Sequence, residues 1–173
     1  MALADDLVTV FGLPAHPLLV HAVVVLLPLS AVGATAVALV PRWRQRYAWP
    51  LLGLTLLGVG AVPAAQAAGD QLYARLAALE NPLIQRHAEL GNDLLPFALG
   101  FGVAVVALLV ADRLADRERT ASAEDGTEVP RTWRRAAVVL SVLVVAAGAA
   151  ATVQTVRIGH SGSTAVYDGV GTS

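Results

Sequence analysis

Four histidines carry most of the chemical potential of this chain. His16 and His21 flank "PLLV" at the mouth of a long apolar run, His87 lies in "QRHAELGND", and His160 lies in "RIGHSGST". Neutral imidazole is the commonest protein ligand for transition metals, an axial ligand for haem iron, and a proton carrier near neutral pH. The chain has no cysteine, and Met1 holds its one thioether. Thiolate zinc sites, iron–sulfur ligation by Cys and sulfur-ligated copper sites are therefore excluded, and any metal must be held by His, carboxylate or backbone oxygen.

The histidines differ in setting. His21 is a polar ring inside an apolar run, which costs free energy unless it is paired, so it is the leading candidate for a ligand or proton carrier. His16 precedes Pro17, which disfavours helical backbone, and reads as a cap with its ring turned toward the headgroups. His87 has Glu89, Asn92 and Asp93 close by. Gln66 and Asp70 are spaced to share a helix face, as are Gln154 and Arg157, and with Glu89 and Tyr167 they could support the histidines from behind. Each could equally anchor a helix end at an interface.

The elements that must position these residues follow from composition. Of 173 residues, 56% are hydrophobic and 14% charged, outside the range of a soluble domain of this size. A hydrocarbon core ~30 Å thick needs roughly 20 apolar residues in a helix, and four stretches meet that length. They are Pro17 to Val40, Pro50 to Ala68, Leu94 to Ala111 and Ala136 to Val156. The third starts early, with Asn81 as cap and Pro82 as first helical residue, giving a span over 82–111 with an amphipathic preface. The prediction is a single all-α domain over 1–173, an integral membrane four-helix bundle. Residues 112–135, polar and mixed in charge, read as a flexible connection. Asp5 and Asp6 precede the first run and no cation does so before Arg42, so it reads as an uncleaved span rather than a signal peptide.

The cations are all arginine. Nine of the twelve follow the first span or lie between the third and fourth, whereas Arg75, Arg86 and Arg157 fall on the other side. The positive-inside rule then places both termini outside the cytoplasm in a multi-pass cell-membrane protein, with Trp43, Trp49 and Trp133 in an inner aromatic belt. All four histidines fall at the outer end. If the first helix is centred on Pro28, His21 lies about 11 Å from the midplane, and His87 and His160 roughly 6 to 10 Å further out unless the preface dips inward or the bundle tilts. A kink at Pro28 would open the bundle below His21 and make room for a ligand. Small residues, among them Gly53, Gly58, Gly60, Gly100, Gly102 and Gly148, allow close helix approach.

The opening "HPLLVH" and the tail "RIGHSGSTAVYDGVG" resemble a bacterial membrane family of uncharacterised activity, domain of unknown function 2231. Its members look like four-span proteins with an HP-x-x-VH opening, a histidine ahead of the third span and a closing GH-x-GG-x-x-VY-x-x-GV stretch. His16, Pro17, Val20 and His21 fit the opening, His87 the middle histidine, and Gly159, His160, Gly162, Val166, Tyr167, Gly169 and Val170 the close. Ser163 stands where the second glycine of the closing pair is usual, and Ala22 where an aromatic often follows the histidine. Relatives fused to Rieske-type iron–sulfur or cytochrome-like modules imply a redox setting and a redox partner of that kind.

Three functions remain open. A b-type haem could be held by His21 and either His87 or His160, with Gly159, Gly162 and Gly169 letting the porphyrin approach, and would serve electron transfer. A non-haem site of His16, His21, His87 and His160 with Glu89 or Asp70 could hold zinc, copper or iron. An accessory subunit of a membrane redox complex, possible also as an oligomer, needs only packing and interfacial polar groups. No charge falls near a midplane, which argues against a transporter. No GxGxxG, P-loop, GxSxG or CxxC motif suggests an enzyme, Ser161 and Ser163 beside His160 read as a turn, and a net charge of -1 gives no reason to expect nucleic acid.

Overall fold

In lipid every backbone N–H and C=O must be satisfied within the chain, so apolar runs of this length become helices. The computed structural model describes residues 8–128 and 132–168; Gly169 and Val170 lie outside them. A short hairpin, β1 (Thr9–Val10) and β2 (Leu13–Pro14), leads into α1 (Ala15–Leu39). There follow α2 (Arg44–Leu76), α3 (Pro82–Asn92), α4 (Leu94–Asp125) and α5 (Thr132–Tyr167), with 3-10 turns at Pro41–Trp43 and Ala77–Leu79.

Four helices are long and apolar enough to cross a membrane, and the protein is a multi-pass membrane protein in a lipid bilayer. α1 packs on α2 and α5, and α4 packs on α5 and α2, so the crossings form a square bundle in which α1 and α4 are diagonal. Phe101, Leu27, Leu108, Val62, Val105 and Val144 fill its centre. Leu29, Val32, Leu56, Val103 and Val142 face outward, the inverse of a soluble bundle. A Cβ on Gly58 would lie 3.3 Å from the main chain at Leu26 and Leu27, and one on Gly148 would lie 3.1 Å from Ala31 Cβ. These two glycines set the approach of α1 to α2 and to α5. Gly53, Gly60 and Gly100 face open space.

Three sequence expectations need correction. The bundle does not open beside Pro28: Leu27 and Ser30 are fully buried there, and Gly58 draws α2 against α1. The stretch 112–135 is not a flexible connection through most of its length, because α4 continues to Asp125. Arg119 pairs with Asp116 at 2.7 Å, and Arg113 lies over the Trp49 ring at 5.5 Å. Gly126 then stops the helix at φ 65, with the carbonyl of Ser122 accepting from the N–H groups of Gly126 and Thr127. Finally, α5 runs through the tail to Tyr167, so Ser161 and Ser163 are helical rather than part of a turn.

The preface of the third span is a separate helix. Asn81 caps α3 by accepting from Leu83 N–H at 2.9 Å, and Pro82 occupies the first turn. The helix is interrupted at Asp93, and α3 packs against α5 and α2. Gln66 of α2 donates to the carbonyls of Gly91 (2.8 Å) and Asn92 (3.2 Å), and Gln154 of α5 donates to that of Leu90 (3.3 Å). Those carbonyls belong to the last turn of α3, where Asp93 N–H also donates to that of Gly91, so the two glutamines clamp the end of α3 from both sides.

Candidate metal-binding histidine pair

His16 is not an unwound cap. It is the second residue of α1, whose first N–H, that of Ala15, bonds Val8 carbonyl at 2.9 Å. Its half-buried ring turns into the bundle, and Nδ1 lies 2.9 Å from the carbonyl of Ala65 on α2. A carbonyl only accepts, so Nδ1 carries the proton and Nε2 keeps its lone pair. One turn along α2, a Cβ on Gly69 would lie 2.9 Å from His16 Cε1. The ring therefore rests on bare backbone that any side chain would occupy.

His87 repeats this arrangement from α3. Its Nδ1 lies 3.1 Å from Ser161 Oγ on α5, and that hydroxyl donates to the carbonyl of Ile158 at 2.8 Å. With its proton so directed, the hydroxyl accepts from His87 Nδ1–H, which again leaves Nε2 with a free lone pair. A Cβ on Gly162 would lie 3.0 Å from His87 Cε1. In each ring Nε2 is the nitrogen farther from where a glycine Cβ would lie, at 3.8 Å for His16 and 3.6 Å for His87. The ring centres are 6.3 Å apart with planes at 77°. Four helices thus deliver two oriented imidazoles, each with its tautomer fixed from behind.

The other two histidines do not join them. His21 is exposed, and its Nδ1 bonds the carbonyl of Pro17 one turn back. Five residues along a helix turn it by about 140°, so α1 cannot aim His16 inward and present His21 on the same face. His160 is exposed beside the inward Ser161. The fold instead brings His87 beside His16, because α3 packs against α5 and α2.

Of the supporting residues, Gln66 and Gln154 act on α3 rather than on a ring, and Arg157 donates to Gln154 Oε1 at 3.3 Å. Glu89 is exposed, accepting from Gln85 at 3.2 Å and lying 3.7 Å from Arg86. Asp70 and Tyr167 are exposed as well. Among the described residues, no group of three or more His, Asp or Glu side chains converges as a metal site. Sequence reasoning missed Ser161 as the partner of His87, and it missed Gly69. The signal available for both was a small residue one helical step from a position facing a histidine.

A family model described as "Predicted membrane protein (DUF2231)" matches residues 12–173. No curated protein and no solved structure matches the chain.

Proposed function

The chain belongs to the predicted membrane protein family DUF2231, and on that premise we propose that it binds a single metal ion, best matched by copper, between the imidazoles of His16 and His87. The observation that carries this reading is the commitment of both Nδ1 atoms to fixed acceptors, Ala65 carbonyl and Ser161 Oγ, which leaves each Nε2 lone pair uncommitted in two rings whose centres are 6.3 Å apart. Metal–nitrogen bonds of ~2.0 Å, with ~1.1 Å from nitrogen to ring centre, put two in-line imidazole centres about 6.2 Å apart. The observed 6.3 Å is close to that value. Tetrahedral zinc seeks four ligands, whereas copper(I) accepts two imidazoles in line. Bound there, copper would supply one-electron chemistry, in keeping with a redox role.

A bis-imidazole haem needs the same two nitrogens but also a slot for the macrocycle. Two cavities lie at the arginine-rich end, lined by residues such as Trp49 and Arg113 or Arg44 and Asp112. Both histidine rings are in contact with glycine backbone at their own end. The positive-inside rule assigns the arginine-rich end to the cytoplasm and the metal site to the opposite face.

The test is elemental analysis and a visible spectrum of detergent-purified protein, followed by copper(I) titration against a chromophoric competitor. One equivalent of copper, absent in His16→Ala, is the expected result. A Soret band with α and β bands on reduction would replace the ion with haem b, and copper binding unchanged in His16→Ala would overturn the site.

A further inference from the structure

The opposite end of the bundle holds a second feature that the histidine site does not use. A cavity of about 620 Å³ opens between the α1–α2 elbow, α4 and α5, with Arg42, Arg44, Arg119, Arg134, Asp112 and Asp116 among its lining residues. Four guanidinium groups against two carboxylates leave it positive. Arg119 is paired with Asp116 at 2.7 Å and Arg44 with Asp112 at 3.1 Å. Arg42 and Arg134 are exposed at the mouth and form no ion pair among the described residues.

The inner wall of this cavity is built. Arg44 is 6% exposed and fixed by four hydrogen bonds. Nε donates to Val37 carbonyl, Nη2 to Ala38 carbonyl and Ser141 Oγ, and Nη1 to Asp112. A guanidinium has five N–H donors, so one hydrogen on Nη1 remains uncommitted at the cavity. Ala115, Ala137 and the exposed Val138 form an apolar flank. Trp43 and Trp133, both partly exposed, lie beside this end, the depth at which interfacial aromatics meet headgroups.

We infer that this cavity binds a phosphate-bearing anion, with Arg42 and Arg134 holding the phosphate oxygens above the buried Arg44. Guanidinium groups match phosphate geometry, and basic pockets between helices at a membrane surface recognise anionic headgroups. The apolar flank suits a lipid source, and free phosphate shares the same chemistry.

The full chain in nanodiscs, read by native mass spectrometry, separates the two sources. Nanodiscs containing equal phosphatidylglycerol and phosphatidylcholine report selective lipid retention, and phosphatidylcholine nanodiscs titrated with inorganic phosphate report free anion binding. The expected result is selective retention of phosphatidylglycerol, falling about five-fold for each of Arg42→Gln and Arg134→Gln. Phosphate binding with the same arginine dependence, without lipid selectivity, would keep the site and make its ligand the free anion. Absence of both in the wild type, which needs no variant to read, would overturn the inference. So would an equal loss in Arg75→Gln/Arg86→Gln at the other end of the bundle.

Discussion

The imidazoles of His16 and His87 stand 6.3 Å apart, centre to centre, although one belongs to the first turn of α1 and the other to the short helix α3. Neither helix alone fixes this distance. α1 is held to α2 through His16 and Ala65, while α3 is clamped by Gln66 and Gln154. The pair therefore depends on the assembled bundle, and its behaviour can be separated from that of the exposed histidines.

In the proposed copper site, removing either inward ring would take away one of two ligands. His16→Ala and His87→Ala are each expected to abolish stoichiometric copper retention, whereas His21→Ala and His160→Ala retain it, because those rings are exposed and their loss leaves the pair intact. Copper content of the four variants after gel filtration checks this. Loss in His21→Ala comparable to that in His16→Ala would return the site to the outward face of α1.

In the proposed site, Ser161 would act on the metal only through His87. Ser161→Ala removes the acceptor that fixes the Nδ1–H tautomer, and losing such a partner weakens metal affinity roughly 10- to 100-fold. Ser163→Ala is the control, since its hydroxyl bonds Gly159 carbonyl at 3.0 Å. Competitive titration of both variants should show the shift in Ser161→Ala alone, with thermal stability nearly equal in the two.

Gly162→Ala tests packing rather than ligation. Its Cβ would meet His87 Cε1 at 3.0 Å, so the ring must move or α3 must lift from α5. Overpacking of this kind costs about 1–3 kcal/mol. Gly159→Ala, where a Cβ meets nothing within 4 Å among the described residues, should raise stability by the roughly 0.5–1 kcal/mol that glycine costs a helix interior. Thermal unfolding in one detergent compares the pair, and equal midpoints would argue that His87 is not seated on Gly162.

Apolar length made the four crossings legible, and Asn81 with Pro82 marked the start of α3. Alternation of the crossings was enough to bring the histidines to one end. Which histidine faces inward was harder to read. Both His16 and His21 look like ligands in "HPLLVH", but the helix places them about 140° apart, and tertiary packing decides between them. The local bias of a residue before proline argued against a helical His16, and its contacts with Ala65 and Gly69 outweigh it. Hydropathy also underestimates helices beyond the lipid, as in 112–125, where charged side chains continue α4. Arg44 read only as one charge in an arginine cluster, because nothing local distinguishes a buried guanidinium from an exposed one.

Arg44 now supports a stability prediction. Its guanidinium serves two carbonyls near the end of α1, Val37 and Ala38, along with Asp112 of α4 and Ser141 of α5. Arg44→Met strands the 18%-exposed carboxylate of Asp112 and unsatisfies both carbonyls, and breaking a buried pair from one side costs roughly 3–5 kcal/mol. Arg44→Met/Asp112→Leu should recover part of that loss by removing the orphaned charge. Unfolding of the single and double variants in mixed micelles measures both. A double variant no more stable than Arg44→Met would show that the α1 carbonyls, rather than Asp112, dominate the penalty.

Midway along α2, Thr55 is 1% exposed, and its hydroxyl has no hydrogen-bond partner among the described residues. Ser30 of α1 is equally buried, but its hydroxyl donates to Leu26 carbonyl at 2.6 Å. A buried hydroxyl without a partner carries a desolvation penalty of about 1–3 kcal/mol, part of which an isosteric methyl recovers. Thr55→Val is therefore expected to raise the unfolding midpoint, and Ser30→Ala to lower or barely change it. If Thr55→Val instead destabilises the protein, the hydroxyl has a partner in the membrane-embedded state, and the centre of α2 becomes a polar contact rather than a packing site.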